Sequence, residues 1–471
     1  MKKKFQAIKG VRDILPPDSA LWNWFEETTR RVFESYGFRE IRLPIFEHTE
    51  LFERSVGSDT DIVNKELYTF FDPFDRLRDF IGLRKTIFGE FEEIEELPGE
   101  EEGAISEIFT SVKESVKEVP LKGRLLTLRP EATASVCRAY IEHGMHTWPG
   151  LVKLYYMGPM FRRERPQKGR YRQFYQIGAE VLGQTDHPAI DAELMEMLAV
   201  LLGECGIERW TLLVNSIGCG DCRPKYVEKL RGALESVKSQ MCDDCQRRAE
   251  ANPLRVLDCK VEADQPIIKK LPAITDHLDQ PCREHFEEFQ RQLRLREIPY
   301  TIAPRLVRGL DYYMRTTFEI TSPVLGAQNA VVGGGRYDGL TELLGGPPAK
   351  GFGFALGTDR FIDAIKDAGK VDASRPLDVF VAWMGSAAYA PAVKLARRLR
   401  SEAYTVELPP EEMKLKKSIG LADKLHARYT LIIGEDELGA KKFTLRRMSD
   451  GEQKQLSEYE LLDHLKAMRK V

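Results

Sequence analysis

The chain has 471 residues, 42% hydrophobic and 30% charged, with 70 Lys and Arg against 73 Asp and Glu for a net charge of −3. That length and apolar content exclude a disordered chain and imply two or three domains, while the near-neutral balance excludes a protein that grips nucleic acid by bulk charge, though not one with local basic patches. Eight cysteines are too sparse for a disulfide scaffold, and six of them lie between Cys219 and Cys282.

In chain order, the N-terminal lysines are followed by no apolar stretch, and acidic residues begin by Asp13, so neither a secretory signal nor a transit peptide is expected. No apolar run approaches the ~18 residues that span a bilayer. The expected compartment is the cytoplasm, where clustered cysteines point to metal or a reactive thiol before disulfides. Residues 18–36 have helical periodicity, with Leu21, Trp22, Phe25, Val32 and Phe33 on one side, and Gly37 ends that helix. Residues 38–44 alternate apolar and polar, as a strand does. Residues 73–122 stand apart: 90–102 are strongly acidic and contain Pro98 and Gly99, the pattern of a solvated surface insertion. Strand patterns return at 125–128, 151–156 and 173–182, a helix at 189–202 and a strand at 210–214. Residues 216–296 read as mainly helical, and strands resume near Tyr300 and continue through Val332. Beyond a linker at Arg375-Pro376, strand and helix alternate at 379–382, 390–400, 405–408, 414–425 and 429–433. This predicts a separate α/β domain of βαβ type.

Five segments carry the chemistry. Residues 161–173 lie between two strands as a long hairpin loop, and six of the thirteen are Arg or Lys. A solvated basic loop accounts for that charge, but arginine at the strand start, as at Arg162, also suits bidentate binding of phosphate or carboxylate. The loop suits an RNA end by charge and by stacking from Tyr171. In Leu126-Thr-Leu-Arg-Pro-Glu-Ala-Thr133 a strand turns into a helix at Pro130, so Glu131 and Thr133 either cap the helix or face a ligand amine. Arg308 clusters with Asp311, Tyr312 and Tyr313. The glycines of Gly333-Gly-Gly-Arg-Tyr-Asp338 allow close backbone approach to a flat ligand, and a turn would need them equally. Their spacing fits neither a Rossmann nor a P-loop motif. Gly351-Phe-Gly-Phe-Ala-Leu-Gly357-Thr-Asp-Arg360 places small residues ahead of a helix that carries an arginine.

Together these segments resemble the signature motifs of class II aminoacyl-tRNA synthetases and, within them, the histidyl-tRNA synthetase family. Lys9-Gly-Val-Arg-Asp13 resembles that family's opening. Pro44-Ile-Phe-Glu47 resembles motif 1, which in the family builds the dimer interface. Residues 161–180 resemble motif 2, and 351–360 motif 3. Arg308-Gly-Leu-Asp-Tyr-Tyr313 and Gly334-Gly-Arg-Tyr-Asp338 resemble the two histidine-site motifs. The resemblance spans nearly the whole chain apart from 73–122.

The implied fold class is α/β in the α+β sense, with three domains. An antiparallel-sheet catalytic domain flanked by helices would cover 1–215 and 297–372, with the acidic insertion at 73–122. A helical insertion domain would cover 216–296, and an α/β anticodon-binding domain 377–471. The implied reaction is histidine activation by ATP with Mg²⁺, then transfer to tRNA(His), by a homodimer. No protein nucleophile is needed, because positioned cations meet the anions. The resemblance gives Arg162, Arg308 and Arg360 as the catalytic and ATP-binding residues. It gives Glu131, Thr133, Gln176, Glu180, Tyr312 and Tyr313 as the histidine-binding set, with Glu180 and Tyr313 on the two imidazole nitrogens. A polar pocket of this kind rejects apolar analogues by ~10⁴ or more without editing. Ala132 stands where the family carries glycine, and its methyl would crowd the turn if the backbone there required a positive φ. The tRNA end would meet Arg165, Gln167, Lys168 and Arg170; Lys414, Lys416, Lys417 and Arg446 are candidate phosphate contacts for the anticodon stem-loop or a solvated face.

Cys219-Gly-Asp-Cys222 and Cys242-Asp-Asp-Cys245 form two C-x₂-C pairs nineteen residues apart, the spacing of a four-cysteine structural zinc site. Cys259 and Cys282 could replace or supplement one pair. The resemblance does not supply this metal. A non-catalytic, histidine-binding regulatory paralogue of histidine biosynthesis is the main competing reading. The three arginines and the C-terminal domain argue against it, and the paired arginine and tyrosine sites argue against an RNA-binding scaffold without chemistry.

Overall fold

The structure is a computed structural model and describes residues 5–57, 60, 62–72, 124–165, 169–323, 330–373 and 377–469. The acidic segment 73–122 lies outside these residues. The chain divides into two compact units, Met1–Asp372 and Ala373–Val471.

The strands of the first unit run in chain order as β1 (Arg39–Glu40), β2 (Phe46–His48), β3 (Tyr68–Asp72), β4 (Arg124–Leu128), β5 (Val152–Phe161), β6 (Gln173–Gly183), β7 (Thr211–Ser216), β8 (Thr301–Ile302), β9 (Met314–Thr321), β10 (Ala330–Arg336) and β11 (Lys350–Gly357). The main sheet has the order β1-β5-β6-β11-β10-β9-β7-β8. Its six central strands are antiparallel, and β1 and β8 add parallel pairings at the two edges. A small antiparallel sheet, β2-β4-β3, stands beside it.

Alternation along the long strands sends successive side chains to opposite faces. Tyr155, Ile177, Ala179 and Val181 enter one core with the helices Asp18–Ser35, Ala189–Glu204, Gln280–Leu295 and Thr358–Ala368, around Phe25, Phe33, Leu198, Phe289 and Phe361. Each fully buried side chain of this kind contributes roughly 1.5–3 kcal/mol relative to exposure. Leu154, Tyr156, Met160 and Leu182 face the other way, against the helix Thr133–Glu142. The first helix follows its predicted span, and Gly37 takes φ +80° just past its end. The strand expected over 38–44 is only β1. After it the chain leaves the sheet, and the buried Arg129 guanidinium takes the carbonyls of Leu43 and Pro44 at 2.8 and 3.1 Å, bonds that a neighbouring strand would otherwise make.

Residues 217–282 carry their own hydrophobic cluster around Tyr226, Leu230, Val256 and Ile274, built from short helices and 3₁₀ turns. In the second unit the strands are β12 (Val379–Trp383), β13 (Val406–Glu407), β14 (Tyr429–Ile433), β15 (Phe443–Arg447) and β16 (Gln453–Leu456), in the order β13-β12-β14-β15-β16. β12 pairs in parallel with both β13 and β14, as the alternating pattern predicts. The antiparallel β15 and β16 extend the sheet beyond that pattern. Among the described residues no helix is long and apolar enough to cross a membrane.

Candidate active site

One face of the main sheet is hollow because its side chains are missing. Gln176, Gly178 and Glu180 on β6 pair with Gly158, Tyr156 and Leu154 on β5 and with Gly357, Ala355 and Gly353 on β11. Gly333 and Gly335 continue that face on β10. A side chain at these positions would collide with what now occupies the space: the Glu180 carboxylate over Gly353, the Tyr156 hydroxyl over Gly178 and the Arg308 guanidinium over Gly333. Of the three consecutive glycines only Gly333 opens to the cleft; Gly334 admits the backbone of β11 and Gly335 the backbone of β9 and the Tyr313 ring. The close approach that glycine allows is taken at Gly333 by the Arg308 guanidinium.

A cleft of about 260 Å³ opens on this face and is lined by Arg162, Arg308, Arg360, Gln176 and Gly333, among others. The structure thus brings the three predicted arginines together. Arg162 leaves the end of β5, donates Nε–H to the Pro130 carbonyl at 3.0 Å and lies over the Phe174 ring. Arg308 lies over the Tyr313 ring at 5.9 Å, with Glu319 at 3.7 Å. Arg360 donates to the carbonyls of Gly169 and Ala330, and burial together with the nearby Arg170 pulls its pKa down. The buried Arg308 Nε and Gln176 Oε1 have no hydrogen-bond partner among the described residues. Such atoms cost free energy unless a ligand satisfies them.

Beside the cleft lies a buried nest. Glu180 Oε1 accepts from Thr133 Oγ1 and Oε2 from Tyr337 Oη, both at 2.7 Å, and the residue is 1% exposed. Burial raises its pKa to about 8 against the lowering effect of those two hydroxyls. Glu131 is also buried. Its carboxylate accepts from the amides of Thr133 and Ala134 at 2.7 and 2.9 Å, and Tyr312 Oη stands 3.4 Å away. Glu131 therefore caps the helix and faces the nest at once; burial raises its pKa as well. Tyr312 and Tyr313 pack ring to ring at 4.6 Å and link the nest to Arg308. Ala132 has φ −117°, so an alanine fits there without crowding.

Sequence reasoning missed two contributors. Tyr337 reaches Glu180, whereas its neighbour Arg336 is 1% exposed and locked to Asp191 and Asp338 as an internal anchor. The Arg-Tyr-Asp string held the signal, but not which of its residues turns inward. Arg12 pairs with Asp359 and lies over the Tyr171 ring at 4.6 Å, while the Arg172 amide donates to the Gly10 carbonyl at 2.7 Å. The N-terminal segment thus latches onto the base of the basic loop, with Arg12 over one face of the Tyr171 ring. Arg165 and Arg170 are exposed on that loop; Gln167 and Lys168 lie outside the described residues. In the second unit Lys414, Lys416 and Lys417 are exposed and Arg446 is half-buried.

The expected single site of Cys219, Cys222, Cys242 and Cys245 does not form. The pairs fall into separate groups, Cys219, Cys222, Asp279 and Cys282 in one and Cys242, Cys245, Cys259 and Asp264 in the other. Each C-x₂-C pair starts a different helix, Cys222–Glu235 or Asp243–Ala251, and those helices turn their cysteines toward different third partners.

A family model for histidyl-tRNA synthetase matches residues 101–361, and one for an anticodon binding domain matches 378–468. The chain is 49% identical over 465 residues to a Histidine--tRNA ligase of Koribacter versatilis, covering 98% of this chain and 96% of the relative. It is 50% identical over 463 residues to one of Solibacter usitatus, covering 98% and 99%. The crystal structure of apo S. aureus histidyl-tRNA synthetase superposes with a TM-score of 0.74 at 34% identity, covering 98% of this chain and 100% of that one. The fold alone is shared with a Bacillus halodurans C structure titled as an ATP phosphoribosyltransferase regulatory subunit/histidyl-tRNA synthetase, at 16% identity and a TM-score of 0.61. With a model match over more than half its length and relatives at about half identity from end to end, the chain belongs to the histidyl-tRNA synthetase family.

Proposed function

We propose that the chain activates L-histidine with ATP to histidyl-adenylate and then transfers histidine to the 3′ end of tRNA(His), releasing AMP and diphosphate. The observation that carries this reading is three arginines around one cleft, next to a buried carboxylate–tyrosine nest. In the first step a histidine carboxylate oxygen bonds to the α-phosphorus as the bond to diphosphate breaks. Two anions meet there, so the work is charge neutralisation. Arg162 holds the α-phosphate and the carboxylate, Arg308 faces the α-phosphate from the other side, and Arg360 holds the γ-phosphate. In the second step the terminal ribose hydroxyl attacks the histidyl carbonyl and AMP leaves.

Glu180 and Tyr313 take the two imidazole nitrogens, with Tyr312 alongside. Gln176, whose buried oxygen lacks a partner among the described residues, joins Glu131 and Thr133 at the amino and carboxylate end. Mg²⁺ supplies charge neutralisation at the outer phosphates when bound; Glu164 in the cleft and Glu319 beside Arg308 are hard oxygen donors of the kind it takes. Arg165, Gln167, Lys168 and Arg170 meet the acceptor end, residues 216–296 form an insertion module holding structural zinc, and the unit from 377 reads the anticodon. The exposed Ile45, Phe46, Phe70 and Leu125 on and beside the small sheet suit a homodimer interface. The expected compartment is the cytoplasm.

Histidine-dependent exchange of diphosphate into ATP tests the reading. Exchange with histidine and with no other amino acid is expected. Histidine binding without exchange would instead indicate the regulatory paralogue, which the retained Arg162, Arg308 and Arg360 argue against.

A further inference from the structure

Residues 217–282 bury a small core among short helices and 3₁₀ turns, and a module of that size needs more than its core to hold one conformation. Its six cysteines are all free thiols, and they are gathered rather than scattered.

In the first group the Sγ atoms of Cys219 and Cys222, and of Cys222 and Cys282, are each 3.8 Å apart, and Asp279 Oδ2 lies 3.2 Å from Cys219 Sγ. In the second, Cys242 and Cys259 sulfurs are 3.9 Å apart, and Asp264 Oδ2 lies 3.3 Å from Cys259 Sγ. A tetrahedron with zinc–sulfur bonds of about 2.3 Å has sulfur–sulfur edges of about 3.8 Å. A disulfide would draw two sulfurs to about 2.05 Å. Backbone amides also point at the sulfurs: Cys219 N–H at Cys222 Sγ (3.2 Å), Asp221 N–H at Cys219 Sγ and Val261 N–H at Cys259 Sγ (both 3.4 Å). Donors so placed stabilise thiolate charge. Asp279 gives its other oxygen to the Cys282 amide at 2.9 Å, and Asp264 accepts the Cys242 amide at 3.2 Å. Each carboxylate is thereby oriented toward its sulfurs by a backbone amide, the kind of outer partner that metal ligands have.

We propose that this module holds two separate zinc-type metal centres, Cys219–Cys222–Asp279–Cys282 and Cys242–Cys245–Cys259–Asp264, each built from three thiolates and one carboxylate. All four positions of each centre come from protein, so both are structural. The first centre also clamps the histidine site. Arg223, next to Cys222, donates to the Tyr313 carbonyl at 2.5 Å, and Ile217 and Gly218 pair with Arg315 at 2.8 Å on both bonds. The second group is linked as well: Arg255, four residues before Cys259, donates to the Gly309 carbonyl beside Arg308. The proposal deepens the assignment of metal to the module and does not depend on histidine activation.

Elemental analysis of the full-length protein, purified without chelator or metal-charged resin, tests the proposal. About two equivalents of zinc per chain are expected, falling to about one in Cys282→Ser and about one in Cys259→Ser. Less than about 0.2 equivalents in the unsubstituted protein overturns it, as does one equivalent that either substitution abolishes. Should either variant fail to fold, cobalt(II) titration of the chelator-stripped unsubstituted protein decides: thiolate-to-cobalt absorption saturating at about two equivalents supports two centres, and saturation at one, or no such band, refutes them. Histidine KM should rise in Cys282→Ser, whose centre adjoins Arg223; an unchanged value removes the clamp. Exchange activity, with Mg²⁺ supplied, in protein that purifies with less than about 0.2 equivalents of zinc would leave the proposed function intact while sinking the metal centres.

Discussion

Thr133 Oγ1 donates to Glu180 Oε1 at 2.7 Å, joining the start of one helix to the floor of the main sheet. With Tyr337 on the other oxygen, a carboxyl group that is 1% exposed is held in a fixed orientation before any ligand arrives. Orientation of this kind lowers the ordering cost of recognition.

The proton on Glu180 makes stability depend on pH. Its carboxyl titrates near 4.5 in an unfolded chain and near 8 in the folded one, because burial penalises the charge. Between those values the folded state holds a proton that the unfolded state has lost. The stabilisation is complete below the lower value and is lost as pH rises through the upper one. Glu180→Gln removes this titration. Urea unfolding of both proteins from pH 5 to 9 should show the unsubstituted protein losing ground to the variant as pH rises; parallel curves would mean that Glu180 ionises normally.

Arg308→Ala should act on chemistry rather than on folding. Its guanidinium lies over Gly333 in the cleft, and its Nε lacks a partner among the described residues. Loss of one preorganised donor typically lowers kcat by about 10²–10³, roughly 3–4 kcal/mol of barrier. Single-turnover adenylate formation should fall by that factor with the unfolding midpoint little changed; near-normal rates would remove the assigned role.

Arg336 and Asp191 make the opposite case. Both are within 1% of full burial and paired with each other, and Asp338 adds a second partner. Asp191→Ala would strand a buried charge, at about 3–5 kcal/mol of stability. Chemical denaturation measures this, and a loss below about 1 kcal/mol would contradict the anchor.

Lys414, Lys416 and Lys417 are exposed together at the start of the helix Leu415–Lys424. If they contact phosphates, replacing all three with alanine weakens tRNA binding and reduces the slope of log K against log salt by about one per lysine. An unchanged slope would mark them as a solvated face.

Much of this architecture is legible in the sequence because it follows from periodicity. The strands around the basic loop, the first helix and the parallel pairs of the second unit all come from alternation that burial on defined faces enforces. The three arginines are legible as members of motifs, though only the sheet brings residues 162, 308 and 360 to one cleft. Three features were not legible. Glu131 satisfies helix amides and the nest together, which a choice between cap and ligand contact does not anticipate. Tyr337 and Arg336 are adjacent and point to different tasks, a matter of strand-end geometry rather than composition. The cysteine spacing suited one four-cysteine site, but Asp264 and Asp279 complete two groups, and nothing in the spacing of carboxylates marks them as partners.

The central claim is that the arginine cleft and the Glu180 nest charge tRNA with histidine. Transfer of labelled histidine to a tRNA(His) transcript tests it most directly. The account predicts ATP-dependent label on the RNA with histidine, none with other amino acids, and a loss of about 10²-fold or more in Arg308→Ala. A folded, histidine-binding protein that puts no label on the RNA would contradict it.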